Sequence, residues 1–291
     1  MRKELICLIF VAVVIFLSGC TGQQISGCEN DVIKIVDYSL YSRTLYSGGR
    51  TGIDFRIVNN GGDEVRNVEV NFFDTSGFDI SELNCQGIRG SNNKCVFQNM
   101  GQEVRDVSLR LTAPNVKEKM PYIVSFSVDY TDSGSRAMII PIIDSETKKT
   151  PTLQYSISSP SCDPIQVNLE KEVRPEETST EYWTMVDMPF EVKFVFSHVG
   201  TVEGVKNVRL EKGDVTLELS NLRIGEPCDF DNSLKSKKPV DVMSEEGDNI
   251  LTCNFVPIDT GQSEYTGTVD VRYMYDYEYV KSESFTVYPS R

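Results

Sequence analysis

The chain has one histidine, His198, and one tryptophan, Trp183, among 291 residues. It contains no C-x-x-C, H-E-x-x-H, G-x-S-x-G or G-x-x-x-x-G-K pattern. Zinc is held by closely spaced Cys and His, so these thiols make a poor zinc site. The usual nucleophile elbow and phosphate cradle are also missing. A Ser-His-Asp arrangement would have to use His198, which reads as an exposed turn residue near Gly200. Basic side chains are scarce: 29 Lys and Arg stand against 43 Asp and Glu, for a net charge of −14. Nucleic-acid binding needs a basic patch, and no footprint for it exists. The imbalance is greatest in residues 151–291, with 25 of the carboxylates and 13 of the basic groups. Acidity of this kind keeps a protein soluble. Its other reading is a face for cations or a basic partner.

A long apolar run is missing too. Thirteen apolar residues, Leu5 to Leu17, follow Met1-Arg2-Lys3-Glu4. At about 1.5 Å per residue they cover about 20 Å, short of the roughly 30 Å of hydrocarbon in a bilayer. A basic start, a short apolar core and small residues beyond it mark a secretory signal. The run ends in Leu17-Ser18-Gly19-Cys20, which resembles the lipobox of prokaryotic lipoproteins. That resemblance implies cleavage before Cys20 and lipid on its sulfur. A retained helix that borrows Ser18 to Gly22 is the alternative. Basic residues before the run place everything after it outside the cell.

Cys7 leaves with the signal, so six cysteines remain besides Cys20. An even number outside the cytoplasm points to disulfides. Cys85 and Cys95 bracket a polar loop rich in Gly and Asn. Cys228 and Cys253 bracket a long polar insertion, residues 229–252. By elimination Cys28 meets Cys162.

Past residue 28 the dominant pattern is alternation. Ile53–Val58, Val65–Phe72, Val107–Leu111 and Tyr122–Tyr130 carry apolar residues at every second position, bounded by Gly, Asn, Asp or Pro. Several such strands predict a sandwich or barrel. The pattern occurs twice. Val65, Asn67 and Val68 parallel Val205, Asn207 and Val208. Cys85, Pro114, Tyr122, Val128 and Tyr130 each recur 143 residues later as Cys228, Pro257, Tyr265, Val271 and Tyr273. The stretch Asp144–Gln154 reads as a linker.

The segment Val58–Asp74, followed by a late Tyr-bearing strand and a closing hairpin, resembles the CARDB-type, immunoglobulin-like domains of prokaryotic surface proteins. The similarity covers most of 30–145 and, more loosely, 155–288. In the second copy Ser197-His198-Val199-Gly200 replaces the Asn-Asn-Gly-Gly turn. The resemblance implies extracellular modules for adhesion, spacing or presentation, with no catalytic residues to transfer.

Three other features draw notice. Asp132–Ser135 and Asp259–Gln262 look like aspartic-protease triplets, but they fall in non-equivalent places of the repeat, and that enzyme needs two paired carboxylates. Both read as turns. Within the insertion, Asp229, Asp231, Glu245, Glu246 and Asp248 offer hard oxygens of the kind calcium takes; a solvated loop is the plain alternative. Tyr273, Tyr275, Tyr277 and Tyr279 would share one face of a continuous strand and make a recognition surface. Alignment with Tyr130 instead puts a hairpin turn at Asp276-Tyr277-Glu278, and core packing is the other use for the rings. Trp183 is expected to pack on the second sandwich.

The expectation is therefore an all-β chain of two tandem immunoglobulin-like sandwiches behind a lipoprotein signal helix. Residues 1–19 form the signal, 20–29 the lipidated cysteine and tether, 30–145 the first sandwich, 146–154 the linker and 155–291 the second. The expected role is a non-catalytic, lipid-anchored surface module for adhesion, spacing or an envelope complex. The alternative is an accessory lipoprotein that binds a ligand or calcium through its acidic second domain. Expected partners are the membrane, through lipid on Cys20, and another surface protein or polysaccharide.

Overall fold

A computed structural model describes residues 32–290 apart from 62–63, 76, 87, 90, 92, 145–150, 161–162, 173–182, 201–203 and 245. The signal segment, Cys20, Cys28, Cys162 and Glu245 lie outside the described residues. Among those described there is no helix long and apolar enough to cross a membrane.

The chain is all-β. Its first half holds β1 (Ile33–Leu40), β2 (Thr44–Tyr46), β3 (Arg50–Asn59), β4 (Val65–Asp74), β5 (Asp79–Cys85), β6 (Ile88–Arg89), β7 (Lys94–Met100), β8 (Val104–Thr112) and β9 (Met120–Ile143). The second holds β10 (Ser156–Ile157), β11 (Ile165–Glu172), β12 (Thr184–Met185), β13 (Phe190–His198), β14 (Val205–Leu210), β15 (Val215–Ser220), β16 (Leu222–Cys228), β17 (Val240–Asp241), β18 (Ile250–Pro257) and β19 (Glu264–Tyr288).

Two small sheets have matching orders, β1-β3-β8-β5-β6 and β11-β13-β18-β16. Between them runs one ten-stranded sheet along β17-β14-β19-β9-β4-β7, with β2, β10, β12 and β15 beside it. The two small sheets cover the same face of the large one. Even-numbered residues of β9 point inward along its length, because side chains alternate on a strand. Phe126 stacks on Phe55 with centroids 4.8 Å apart, and Met138, Ile140 and Ile142 are buried in the other half. In the partner strand Phe285 meets Phe78 at 5.2 Å, while Tyr273 meets Phe196 edge-on at 5.6 Å. Two β-sandwiches result, whose small sheets share one strand order.

The copies do not divide at residues 146–154 as expected. All 24 residues of β9 pair antiparallel with β19 without a register shift, from Met120↔Val287 to Ile143↔Glu264. At about 3.3 Å per residue this ribbon is about 80 Å long. Each long strand therefore serves both sandwiches. The first part of β9 and the last part of β19 line the first, and the other parts line the second. A hydrogen-bonded ladder with the other copy satisfies the backbone of both strands, so neither needs to turn back.

Two expected turns are absent for that reason. Asp276-Tyr277-Glu278 lies inside β19, and Asp132–Ser135 lies inside β9. Gly134 fits mid-strand because Tyr273 rests over it; a Cβ there would collide with the ring. The Asp259 triplet is a turn, with the Gly261 amide donating to Asp259 Oδ1 at 2.8 Å. The repeated Val-x-Asn-Val is a bulge in each copy, where β4 slips between Arg66 and Glu69 and β14 between Val205 and Asn207.

Candidate functional site

The expected site residues gather mainly at the middle of the ribbon. Tyr273, Tyr275, Tyr277 and Tyr279 do share one face of β19, since the strand is continuous. That face points into the core, so they do not form an exposed recognition surface. Tyr275 is 1 % exposed and Tyr277 6 %; Tyr279 is half-buried. Each hydroxyl needs a partner when buried, and the copies supply different ones. Tyr273 donates to the Ile165 carbonyl at 2.7 Å. Tyr275 donates to Asp132 Oδ2 at 3.3 Å. Burial, reinforced by the Asp132 charge, pushes the Tyr275 phenol well above its ordinary range, which keeps it a donor. Tyr277 Oη lies 3.0 Å from His198 Nε2, and its ring stacks on Tyr130 at 5.0 Å. His198 ends β13 half-buried rather than standing in an exposed turn.

Beside this stack is a cleft of about 200 Å³ between β1 and the ribbon. Ile33, Ile35, Val128, Tyr130, Tyr277 and Tyr279 line it, with Lys34 also in the lining. The sequence reading missed this cleft, although the signal was present: the 143-residue offset sets Gly134 against Tyr277. A second cleft of about 250 Å³ is lined by Asn67, Asp129, Thr131, Asp276 and Glu278, with the two stacked tyrosines. There the carboxyl of Asp129 is pushed upward by burial and by the charges of Glu278 and Glu69. Ser127 donates to it at 2.8 Å, and Lys94 pairs with Glu69. Asp214 is raised likewise, by burial and by Asp276 and Glu211.

The acidic insertion uses its carboxylates locally. Asp229 accepts the Thr252 amide at 2.9 Å and pairs with Lys238 at 3.2 Å. Asp231 Oδ1 accepts the amides of Ser233 and Lys235 at 2.8 and 3.1 Å. The Asp248 carbonyl accepts the Asp241 amide at 3.1 Å, and Glu246 is exposed. Among the described residues no three metal-ligating side chains come together. Trp183 is half-buried, its carbonyl accepting from Lys171 Nζ at 2.9 Å.

Both expected disulfides between described cysteines are formed. Cys85–Cys95 joins β5 to β7, linking a small sheet to the large one. Cys228–Cys253 joins the neighbouring strands β16 and β18.

No family model matches the chain, and no curated protein matches it. Among solved structures it is similar to the Enterococcus faecalis MSCRAMM ACE, described as binding its ligands by the collagen hug model. The identity is 8%, over 90% of this chain and 96% of that one, with a TM-score of 0.19. It is also similar to the collagen adhesin CNA of S. aureus, at 11% identity over 89% and 94% of the two chains, with a TM-score of 0.14.

Proposed function

We propose that the protein is a non-catalytic, lipid-anchored surface module that holds two fused sandwiches as one rigid binding platform. The observation that carries this reading is the unbroken ribbon of β9 and β19. Two sandwiches joined by a linker could swing independently. Two that share 24 consecutive residue pairs cannot bend apart without breaking the ladder. Leu17-Ser18-Gly19-Cys20 behind its short apolar run supports the anchor. The described fold starts at Val32, and Ile33 lines the cleft beside Tyr277 near the ribbon's middle. A lipidated chain that enters the fold at Val32 would meet the ribbon near its centre. Its partner is another surface protein or a polysaccharide.

Fractionation of cells carrying Cys20→Ser tests the anchor. Release of the variant from the membrane, or its accumulation with the signal attached, is the expected result. Unchanged processing and membrane retention would overturn the lipid assignment.

A further inference from the structure

The two copies differ at one equivalent place, and the difference describes a ligand. In the second half the edge strand β11 is sealed onto the ribbon. The Tyr273 ring lies over Gly134 and its hydroxyl donates to the Ile165 carbonyl at 2.7 Å. Arg136 Nη1 donates to the Val167 carbonyl at 2.6 Å. Ile165 and Val167 are buried as a result, at 0 % and 1 % exposure.

The corresponding edge strand in the first half is β1, which begins with Ile33 and pairs with β3 as β11 pairs with β13. The 143-residue offset places Tyr130 where Tyr273 stands and Tyr277 where Gly134 stands. A side chain at that position excludes the ring placement that Tyr273 takes. Tyr130 stacks on Tyr277 instead. Neither the Ile33 nor the Ile35 carbonyl receives a side-chain donor from the described residues, and both side chains stay half-buried. The space left over is the cleft of about 200 Å³.

We propose that this cleft is a binding site for an aromatic side chain bearing a hydrogen-bond donor, Tyr or Trp, presented by a partner protein. The second half shows the chemistry that seals such an edge, a phenol ring against the ribbon with its hydroxyl on an edge carbonyl, and in the first half only the cleft beside Tyr277 has room for it. An incoming ring would bury its faces against Ile33, Ile35 and Val128 and donate to the Ile33 or Ile35 carbonyl. Aromatic anchors that fill a pocket are the usual energetic centre of a protein interface. The proposal rests on the reading of the protein as a binding module and names the chemistry of its partner.

The test is isoleucine-methyl NMR of the full chain in phospholipid nanodiscs, titrated with N-acetyl-tyrosinamide. Saturable shifts of Ile33 and Ile35 are expected, with a Kd of about 1 mM for so small a probe, and none with N-acetyl-alaninamide. Ile35→Trp fills the cleft from within and should weaken the response about tenfold, with Ile140 and Ile165 unmoved. Tyr277→Gly recreates the second-half geometry, lets Tyr130 seal β1, and should abolish the response. Silent methyls in the parent chain, or an equal response in the filled variant, overturn the proposal. So does a response to a neutral monosaccharide or a fatty acid in place of the aromatic probe. A chain that fails to enter the nanodisc counts against the anchor, not against the cleft.

Discussion

Tyr275 and Asp132 face each other across the ribbon, hydroxyl to carboxylate, 3.3 Å apart and separated by 143 residues. That separation is also the offset of the repeat, so the repeat carries one member of the pair onto the other. They therefore mark a pseudo-twofold axis through the large sheet. Strict symmetry would put the same side chain on the axis twice. Two aspartates in this buried spot would repel, and one would be forced to stay protonated. Divergence to a phenol and a carboxylate turns that conflict into a hydrogen bond.

Tyr275→Phe keeps the ring and removes the donor. It should cost about 1 kcal/mol and lower the melting temperature by about 3 °C in urea-free buffer. Tyr275→Ala also empties the space of a 1 % exposed ring and should cost about 3–5 kcal/mol. In a double-mutant cycle with Asp132→Ala, which removes the acceptor, the coupling should approach the cost of Tyr275→Phe. Additive single effects would remove the hydrogen bond as the reason for the pairing.

A protease site inserted between residues 146 and 150 tests the fused architecture. Cleavage there breaks the backbone between the halves, yet β9 and β19 remain paired through 24 residues. The cut chain should elute from a sizing column as one particle of unchanged radius and split into two fragments only in denaturant with reductant, which also opens any Cys28–Cys162 bridge. Two separate sandwiches in native buffer would contradict the shared sheet.

The strands themselves were legible from the sequence. Ile53–Val58, Val107–Leu111 and Tyr122–Tyr130 alternate because one face of each is buried, and they fall inside β3, β8 and β9. The repeat was legible because Cys85, Val128 and Tyr130 keep one offset. The fusion of the halves was not. Asp132–Ser135 has turn composition, and what holds it extended is its distant pairing with Arg272–Tyr275 of β19, with Tyr273 packed on Gly134. Pairing between residues so far apart leaves little trace in local propensity. The tyrosine stripe was visible for the same reason as the strands, but whether it faced water depended on the sheets packed over it.

The two disulfides should differ in worth. Chain-entropy arguments give about 2.8 kcal/mol for closing the shorter Cys85–Cys95 loop and about 3.5 kcal/mol for the longer Cys228–Cys253 loop. Paired Cys→Ala variants compared by urea unfolding should rank in that order. The Cys85/Cys95 pair joins two sheets, so its loss should also speed local exchange of the β7 amides. A larger loss from the Cys85/Cys95 pair would show that packing between sheets, not loop closure, sets the value.

Two aspartates should respond to pH with opposite signs. Asp129 has its carboxyl raised by burial and by Glu278 and Glu69, so the folded state holds its proton more tightly than the unfolded chain. Its charge destabilises the fold at neutral pH, and the penalty fades as pH falls towards the ordinary aspartate value of about 3.9. Asp129→Asn should raise the melting temperature by about 2 °C at pH 7 and by nothing near pH 3.5. Asp54 is the reverse. Burial pulls its carboxyl up, but hydrogen bonds from Arg110, Tyr41 and Ser108 outweigh that and hold it below the ordinary value. Its contribution is complete above the unfolded value and is lost as pH falls through the folded one. Asp54→Asn should therefore cost up to about 1 kcal/mol at pH 7, the upper range for an exposed ion pair, and progressively less below pH 4. Melting curves of both variants from pH 3 to pH 8 decide the matter: parallel pH profiles for the two would mean that neither carboxylate titrates as its surroundings require.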